Sequence, residues 1–277
     1  RPTRMHSIMD ALPPRLLNTP LALLPSRAMA MTSAPAASIS DAPPAWTGPG
    51  YEVVSGVAVI EVYGVLLQRT GSLRSYYGCT GYDGIRANVS AALADASVNA
   101  IAFDIDSPGG ECNGLFDLAD MIFASRDVKP SIAICSEHAY SAAYAIASAA
   151  SFVTVPRSGG VGSVGVITAL VDRSKMIKDM GVSVHFVVYG SDKAAASRAE
   201  ITGVSDDVLA PVQADVNRLG EMFVATVARN RGMSAEAVRA TNAGCFMGDL
   251  GVSAGFADVV ASPDEAFAAF LADVGAV

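Results

Sequence analysis

The sequence predicts an α/β protein whose mostly parallel sheet is covered by helices on both faces. Within residues 51–277, short and almost purely apolar runs alternate with longer segments of helical period. Strands that are buried on both faces have such continuous apolar character, and parallel neighbours need a crossover helix between them. Of the 277 residues, 51% are hydrophobic and 17% are charged, so the chain is long and apolar enough to bury a core.

The first half of the predicted domain consists of three strands, each followed by a helix. Strands are predicted at three apolar runs, residues 57–62, 100–105 and 131–135. Apolar residues at helical spacing predict helices at 82–96 and 114–125. The third helix, 141–150, consists largely of alanine and serine, so we expect it to pack closely against its neighbours.

The second half is predicted to contain shorter strands and one long helix. Apolar residues predict strands at Phe152–Val155 and at 182–188, where they partly alternate with polar ones. Asp206–Arg231 has the pattern of a single amphipathic helix, suited to packing on the core or on a neighbouring subunit. A strand at 255–260 and a final helix complete the domain. No internal repeat is apparent.

The first 50 residues differ in composition from the rest of the chain. Residues 1–50 are rich in Pro, Ala and Ser, which predicts a flexible or loosely docked arm. The ordered domain is expected to occupy residues 51–277. No stretch of this sequence is predicted to span a membrane, so we expect no membrane anchor.

Charge and cysteine content exclude several classes of partner. The net charge of −8 argues against nucleic acid as the main partner, because phosphate binding requires a basic surface. The four cysteines are scattered without metal-binding spacing, and the chain has only three histidines. We therefore expect reduced thiols, no metal and no other cofactor. The cysteines are Cys79, Cys112, Cys135 and Cys245.

Two residues have the local setting of a nucleophile and its base. Ser141 lies where an apolar strand gives way to small residues, and Lys193 follows the predicted strand at 182–188. A serine hydroxyl is a weak nucleophile until a base takes its proton, and a desolvated lysine can be that base. The pair therefore predicts acyl transfer through a serine–lysine dyad.

A glycine-containing motif upstream can supply the oxyanion site of such an enzyme. Residues 106–110 read Asp-Ser-Pro-Gly-Gly, which predicts a turn after the strand at 100–105. The backbone N–H groups of Gly109, Gly110 and Ala142 are the expected oxyanion donors. Because the carboxyl ends of parallel strands meet at one edge of a sheet, these segments are expected to lie together.

Each of these features also has a plain structural interpretation. A serine at a helix start is commonly an N-cap, a loop lysine is commonly solvated, and Pro-Gly-Gly is commonly just a turn. Only the joint occurrence of all three, each after a strand, favours an enzyme. His138 lies too close to Ser141 in sequence to face it as a base, and His185 falls within a predicted strand.

Residues from about 57 to 260 resemble the signal peptide peptidase A-type serine proteases of the Clp/crotonase superfamily. The resemblance rests on residues 104–110 (DIDSPGG), on the segment around Ser141, and on residues 162–166 (GSVGV). The separation of Ser141 and Lys193 is also similar to that between the family's serine and lysine. It implies a Clp/crotonase-like fold, Ser141 as nucleophile, Lys193 as general base, and Ser163 as the hydroxyl that orients the lysine.

Within that family the chain looks most like the prohead proteases of lambda-type tailed phages. Three segments carry this closer resemblance: 80–85 (TGYDGI), 18–24 (NTPLALL) and 189–193 (YGSDK). It implies cleavage of scaffold and capsid proteins, and of the protease itself, inside proheads assembling in the host cytoplasm. For a prophage product the location would be the bacterial cytoplasm. The superfamily also implies a homo-oligomer that buries its C-terminal helices, here Asp206–Arg231.

Other functions with the same fold remain open. A cellular signal-peptide-peptidase-like protease is expected to have an anchor or an export sequence. A Clp-type protease needs a catalytic histidine, and His185 is the only one after Ser141. A crotonase needs no serine at a helix start with a lysine partner. An inactive capsid-assembly protein with this fold is the alternative that is not an enzyme.

Overall fold

The computed structural model describes residues 19–23, 48–76, 78–190, 193 and 195–275. Most of the predicted arm lies outside these residues, so its separate, flexible character stays a prediction. Its described residues 21–23 belong to the sheet of the main domain.

The described strands form one ten-stranded sheet. Its main path runs β10-β7-β6-β5-β3-β2, and four shorter strands join it from the side. The strands are β1 (Leu21–Leu23), β2 (Glu52–Val54), β3 (Val57–Leu67), β4 (Cys79–Gly81), β5 (Ala100–Glu111), β6 (Ser131–Tyr140), β7 (Phe152–Val155), β8 (Gly160–Gly162), β9 (Cys245–Met247) and β10 (Val259–Val260).

Nine helices occur among the described residues. They are α1 (Tyr82–Ala94), α2 (Leu115–Ser125), α3 (Ala142–Ala149), α4 (Ser174–Asp179), α5 (Ala195–Thr202), α6 (Asp206–Arg231), α7 (Ala235–Ala240), α8 (Asp249–Ser253) and α9 (Pro263–Asp273).

The predicted fold class, an α/β protein with a mostly parallel sheet, is confirmed. Six strand pairs are parallel, and only the β1–β5, β2–β3 and β8–β9 pairs are antiparallel. Helices α1, α2, α3 and α6 contribute to the main core on one face of the sheet. Helix α9 covers the other face, where Phe270 packs among Val57, Ala102 and Ile132.

Helix α3 is in the middle of the main core. All eight of its residues are buried, and the sequence of this helix contains only Ala, Ser, Ile and Tyr. Small side chains let a helix approach a sheet and two other helices at once, as the sequence predicted. The one large side chain, Tyr144, stacks on Phe256 and donates a hydrogen bond to its carbonyl oxygen at 2.9 Å.

The predicted strand at 182–188 is wrong. Residues 182–188 form neither a helix nor a strand, and the side chains of Val187 and Tyr189 are 97% and 100% exposed. No described strand pairs with this segment, so its apolar side chains have no sheet face on which to be buried. Apolar alternation alone does not make a strand without a neighbour.

Strands β5 and β6 extend further than predicted. The predicted glycine turn at 106–110 is instead part of β5, which continues to Glu111. The register between β5 and β6 shifts after Ile105, and the two strands pair once more at Ser107 and Ala139. Beyond that pair, the end of β5 pairs with β3 and with β1. Strand β1 therefore replaces β6 as the partner of β5 close to Ser141.

Candidate active site

Ser141 occupies a sharp turn between a strand and a helix. It directly follows β6 and precedes α3, with φ 56° and ψ −120°. A positive φ at a non-glycine residue costs on the order of 1–3 kcal/mol and persists only where the surroundings hold it. Here the Ser141 N–H donates to Gly162 O at 2.8 Å, and the Ser141 carbonyl accepts from Tyr144 N–H at 2.8 Å. This strained turn is the geometry that projects a nucleophile from a strand end.

The hydroxyl of Ser141 does not cap helix α3. An N-cap serine accepts a hydrogen bond from the second or third helical N–H, and no such bond is present here. Instead, Ser141 Oγ donates to Gly165 O over a long 3.4 Å. The side chain is buried, with 1% of the residue exposed. The hydroxyl is therefore held in the interior of the site without a structural function in the helix.

Gly109 lies directly against Ser141. A Cβ at Gly109 would lie 3.0 Å from Ser141 Cβ and 2.2 Å from Ala22 O, and its φ is +101°. Only glycine fits this place. The Gly109 N–H donates to Ser107 Oγ at 3.1 Å, and the Ser107 hydroxyl donates to Gly64 O at 2.6 Å. An oxyanion bound by Gly109 would have to share or replace the bond to Ser107.

The other two predicted oxyanion donors lie on either side of this contact. Ala142 is buried and is the first residue of α3, so its N–H has no acceptor within the helix. Gly110 packs against β3, where an added Cβ would come within 1.8 Å of Leu66 O. The structure thus brings Gly109 and Ala142 to the nucleophile, with Gly110 one residue further along β5.

Ser163 lies at the end of β8, close in the chain to Gly162. Its φ is 56°, and its N–H donates to Gly244 O at 2.8 Å. Burial raises the pKa of the Cys245 thiol, and the neighbouring Ser163 side chain partly opposes that effect. The expected function of the Ser163 hydroxyl toward Lys193 stays a prediction.

Lys193 lies in an exposed turn. Its backbone N–H donates to Gly190 O at 3.2 Å, and its side chain is exposed. Among the described residues, no hydrogen bond joins the Lys193 amine to Ser141. The structure therefore brings the nucleophile and the glycine strand together but does not bring the predicted base to them.

The two histidines after residue 130 are also not placed as bases. His138 stacks on Tyr140, with ring centroids 5.1 Å apart, and its Nδ1 is buried without a hydrogen-bond partner in the described part of the chain. His185 is exposed and is hydrogen-bonded to Ser183 at 3.1 Å.

Two parts of the site escaped the sequence analysis. Gly162 and Gly165 contact Ser141 through backbone carbonyls, which any residue type carries. The sequence GSVGV at residues 162–166 drew attention to this segment only because it resembles the family's pattern. Strand β1, from the predicted arm, pairs with Gly109–Glu111 beside the nucleophile. This short strand was not predicted, because the surrounding residues are rich in Pro, Ala and Ser, a composition typical of flexible segments.

Fold and site together define a class of protein. A serine on a strained strand-to-helix turn, at the carboxyl edge of a parallel sheet and beside a glycine strand, is typical of α/β enzymes that use a nucleophilic serine. No helix in the described ranges is both long and apolar enough to cross a membrane.

Sequence comparison identifies the family within this class. The profile of Peptidase family S49 matches residues 124–276, which include Ser141 and Lys193. The chain is 38% identical over 216 residues to the head-tail preconnector protein GP5 of Enterobacteria phage P21, covering 78% of this chain and 43% of that protein. It is 35% identical over 216 residues to the capsid assembly protease C of Escherichia phage lambda, covering 78% and 49%. The chain belongs to peptidase family S49, as the sequence analysis expected.

The chain spans about half the length of these curated relatives or less. Solved structures that resemble it include the 1510-N membrane-bound stomatin-specific protease with a substrate peptide, at 16% identity and a TM-score of 0.46, covering 74% of this chain and 75% of that one. Another is ClpP1 from Listeria monocytogenes, at 11% identity and a TM-score of 0.44, covering 73% and 90%. Because the TM-scores of these structures are below 0.5, the family assignment rests on the family profile and the sequence relatives.

Proposed function

We propose that this chain is a serine endopeptidase that cleaves scaffold and capsid proteins during phage head assembly, with Ser141 as nucleophile and Lys193 as general base. The family supports a peptidase, and both named relatives are phage head proteins. On this proposal the protein acts in the cytoplasm of the infected host, within assembling proheads, or in the bacterial cytoplasm for a prophage product.

The conformation of Ser141 is the observation that carries this proposal. A strained φ/ψ pair at a buried serine, with a hydroxyl that does not cap the helix it precedes, has no structural purpose in the fold. Such strain is characteristic of functional sites. It holds the Ser141 side chain beside Gly109 of β5.

The chemistry proceeds in two steps. The neutral Lys193 amine takes the Ser141 hydroxyl proton while the oxygen attacks the scissile carbonyl, which gives a tetrahedral oxyanion. The Ala142 N–H and the glycines of β5 stabilise that charge. Collapse of the intermediate releases the new amine, which receives the proton from the lysine, and leaves an ester on Ser141. Water then attacks the ester carbonyl while the same amine takes its proton. The bond to Ser141 breaks, the serine oxygen recovers that proton from the lysine, and the new carboxylic acid is released.

Assembly of the dyad requires the segment before Lys193 to move. Residues 182–189 carry exposed apolar side chains, among them Val187 and Tyr189, that have no covering element in the described chain. Burial of these side chains against this domain or against a second copy provides the driving force to carry Lys193 to Ser141. Burial against a second copy would make the active form a homo-oligomer, which is the form that this proposal takes.

Co-expression with the capsid and scaffold proteins of the same phage tests the function. Wild-type protein is expected to yield defined fragments. Ser141→Ala should lower the rate of cleavage by roughly 10⁴-fold or more, because the nucleophile is lost. Intact-mass analysis of the fragments identifies the cleavage sites. The matched control is Ser253→Ala, which removes an exposed hydroxyl and should leave cleavage unchanged.

Two results would contradict this proposal. If fragments persist in Ser141→Ala, another residue is the nucleophile. If neither protein cuts any head component while both remain folded, an inactive assembly protein or a cellular peptidase with other substrates is the better interpretation.

A further inference from the structure

Strand β1 lies close to the nucleophile, in a groove between Gly109–Glu111 of β5 and the backbone of Ile167. Its three residues run antiparallel to the end of β5, with Ala22 opposite Gly110 and Leu23 opposite Gly109. On the other edge of β1, Leu21 N–H donates to Ile167 O and Ile167 N–H donates to Leu21 O, both at 2.8 Å. An extended segment is therefore hydrogen-bonded along both edges, next to Ser141.

Both edges of this groove belong to the elements that form the site. Gly109 also contacts Ser141, since an added Cβ there would approach both Ser141 Cβ and Ala22 O. Ile167 stands two residues after Gly165, whose carbonyl accepts the Ser141 hydroxyl. The backbone of β1 thus lies where a peptide would have to lie for Ser141 to reach one of its carbonyl carbons.

The side chains of β1 fill the groove on both of its faces. Ala22 is 0% exposed and belongs to the main core, where its methyl group is enclosed by other apolar side chains. Leu21 and Leu23 point to the opposite face and pack with Leu67 in a separate cluster. This cluster also contains Val65, Cys79 and Ile167. The groove therefore takes a small side chain flanked by two aliphatic ones.

We propose that Leu21–Leu23 is a built-in competitor that occupies the substrate groove of this chain and must leave before a substrate strand can bind. The inference rests on the proposed function for its meaning, but the occupancy of the groove can be tested without catalysis. It also assigns the substrate class: an extended peptide that adds as an antiparallel strand to Gly109–Glu111, with a small residue at the Ala22 position.

A charge at Ala22 provides a direct test. The carboxylate in Ala22→Asp cannot be accommodated in the apolar core, so β1 should leave the groove. A tethered segment competes at an effective concentration of about millimolar, so its release should speed labelling of Ser141 by a fluorophosphonate probe by about tenfold or more. Ala210→Asp, an exposed alanine on α6, is the matched control and should label like the wild type.

A binding experiment separates this inference from the proposed function. A fluorescein-labelled synthetic peptide with the sequence of residues 17–26 is added to chains that carry Ser141→Ala, so that no cleavage is needed. By fluorescence polarisation, the peptide should bind the Ala22→Asp chain about tenfold or more tighter than the chain with the native arm. Leu23→Ser weakens only the aliphatic contact, so it should raise the affinity for the peptide by a smaller factor. This variant replaces Ala22→Asp in the experiment if Ala22→Asp does not fold.

The outcomes distinguish the two proposals. Tighter peptide binding without probe labelling in any chain supports the inference and counts against the peptidase function. Detectable probe labelling at the same rate in wild type and Ala22→Asp overturns the inference and leaves the function standing. Peptide binding that is equal or absent in both chains also overturns the inference. Labelling that falls in a folded Ala22→Asp chain would make β1 a part of the site and not a competitor.

Discussion

At the residue scale, the proposed chemistry depends on Lys193, whose side chain is exposed and, among the described residues, is not hydrogen-bonded to Ser141. If Lys193 is the base, Lys193→Ala should lower kcat by roughly 10²-fold to 10⁴-fold, the usual contribution of a general base, without changing the thermal midpoint. The wild-type rate should rise with pH, because only a neutral amine accepts a proton, and this rise should disappear in the variant. The measurement is the pH profile of kcat/KM with a cleavable peptide.

The matched control is Lys175→Ala, which removes an 87% exposed lysine that pairs with Asp179 on α4. It should keep the wild-type profile. A Lys193→Ala enzyme with the same pH dependence as the wild type would remove Lys193 from the mechanism.

The contrast between Ser141 and Lys193 shows what the sequence could predict of this site. Ser141 was predictable because its position is fixed by local structure, a strand followed directly by a helix of small residues. The placement of Lys193 depends on the path of residues 182–190, which no local pattern determines. The apolar residues there predicted a strand, but in the structure they are exposed, because nothing in the described chain covers them.

At the scale of elements, one arginine ties together the ends of three helices. Arg126 follows the last residue of α2, and its guanidinium donates to the carbonyls of Ser148, Ala149 and Ala150 at the end of α3. It also donates to the carbonyl of Asn230 near the end of α6 at 3.2 Å. Carbonyls at a helix end have no partner within the helix, so this side chain supplies the missing donors.

Arg126→Ala should therefore destabilise the domain by roughly 2 to 4 kcal/mol, because several carbonyls lose a charged donor at once. Arg126→Lys should recover only part of this, since an ammonium cannot reach three carbonyls as a planar guanidinium does. The measurement is the free energy of unfolding in urea. Arg218→Ala, on the exposed side of α6, is the control and should change it by less than about 0.5 kcal/mol. An equal effect of both variants would refute the bridging function.

For the strands too, what the local sequence determines was predicted, and what depends on distant partners was not. The starts of β5 and β6 were predicted correctly, because buried parallel strands are continuous apolar runs. Their carboxyl ends were not, and for β5 the reason is that Gly109 and Gly110 indicate a turn when taken alone. In the structure they continue β5, since β3 on one side and β1 on the other supply backbone partners. Pairing across the sheet overrode the local preference.

At the scale of the whole molecule, the core encloses ionisable groups that make the fold sensitive to alkali. Burial raises the pKa of the Cys112 thiol to about 12, partly opposed by a hydrogen bond from the Ala22 backbone. Burial, with a smaller contribution from the charge of Asp104, raises the pKa of Cys135 to about 12. In the unfolded chain such thiols titrate near 9. The folded state therefore holds protons that the unfolded state releases, and stability is full below pH 9 and is lost as the pH rises toward 12.

Each buried thiol should remove about 1.4 kcal/mol of unfolding free energy per pH unit within this window. Between pH 8 and pH 10.5, the loss of stability should thus be smaller in Cys135→Ala than in the wild type by about 2 kcal/mol. Denaturant unfolding at the two pH values measures it. The control, Val153→Ala, leaves a cavity in the same core without removing a titrating group, so it should destabilise equally at both pH values. A Cys135→Ala chain that loses as much stability as the wild type would show that water reaches this thiol, and that the core around the β6 strand opens well before the molecule unfolds.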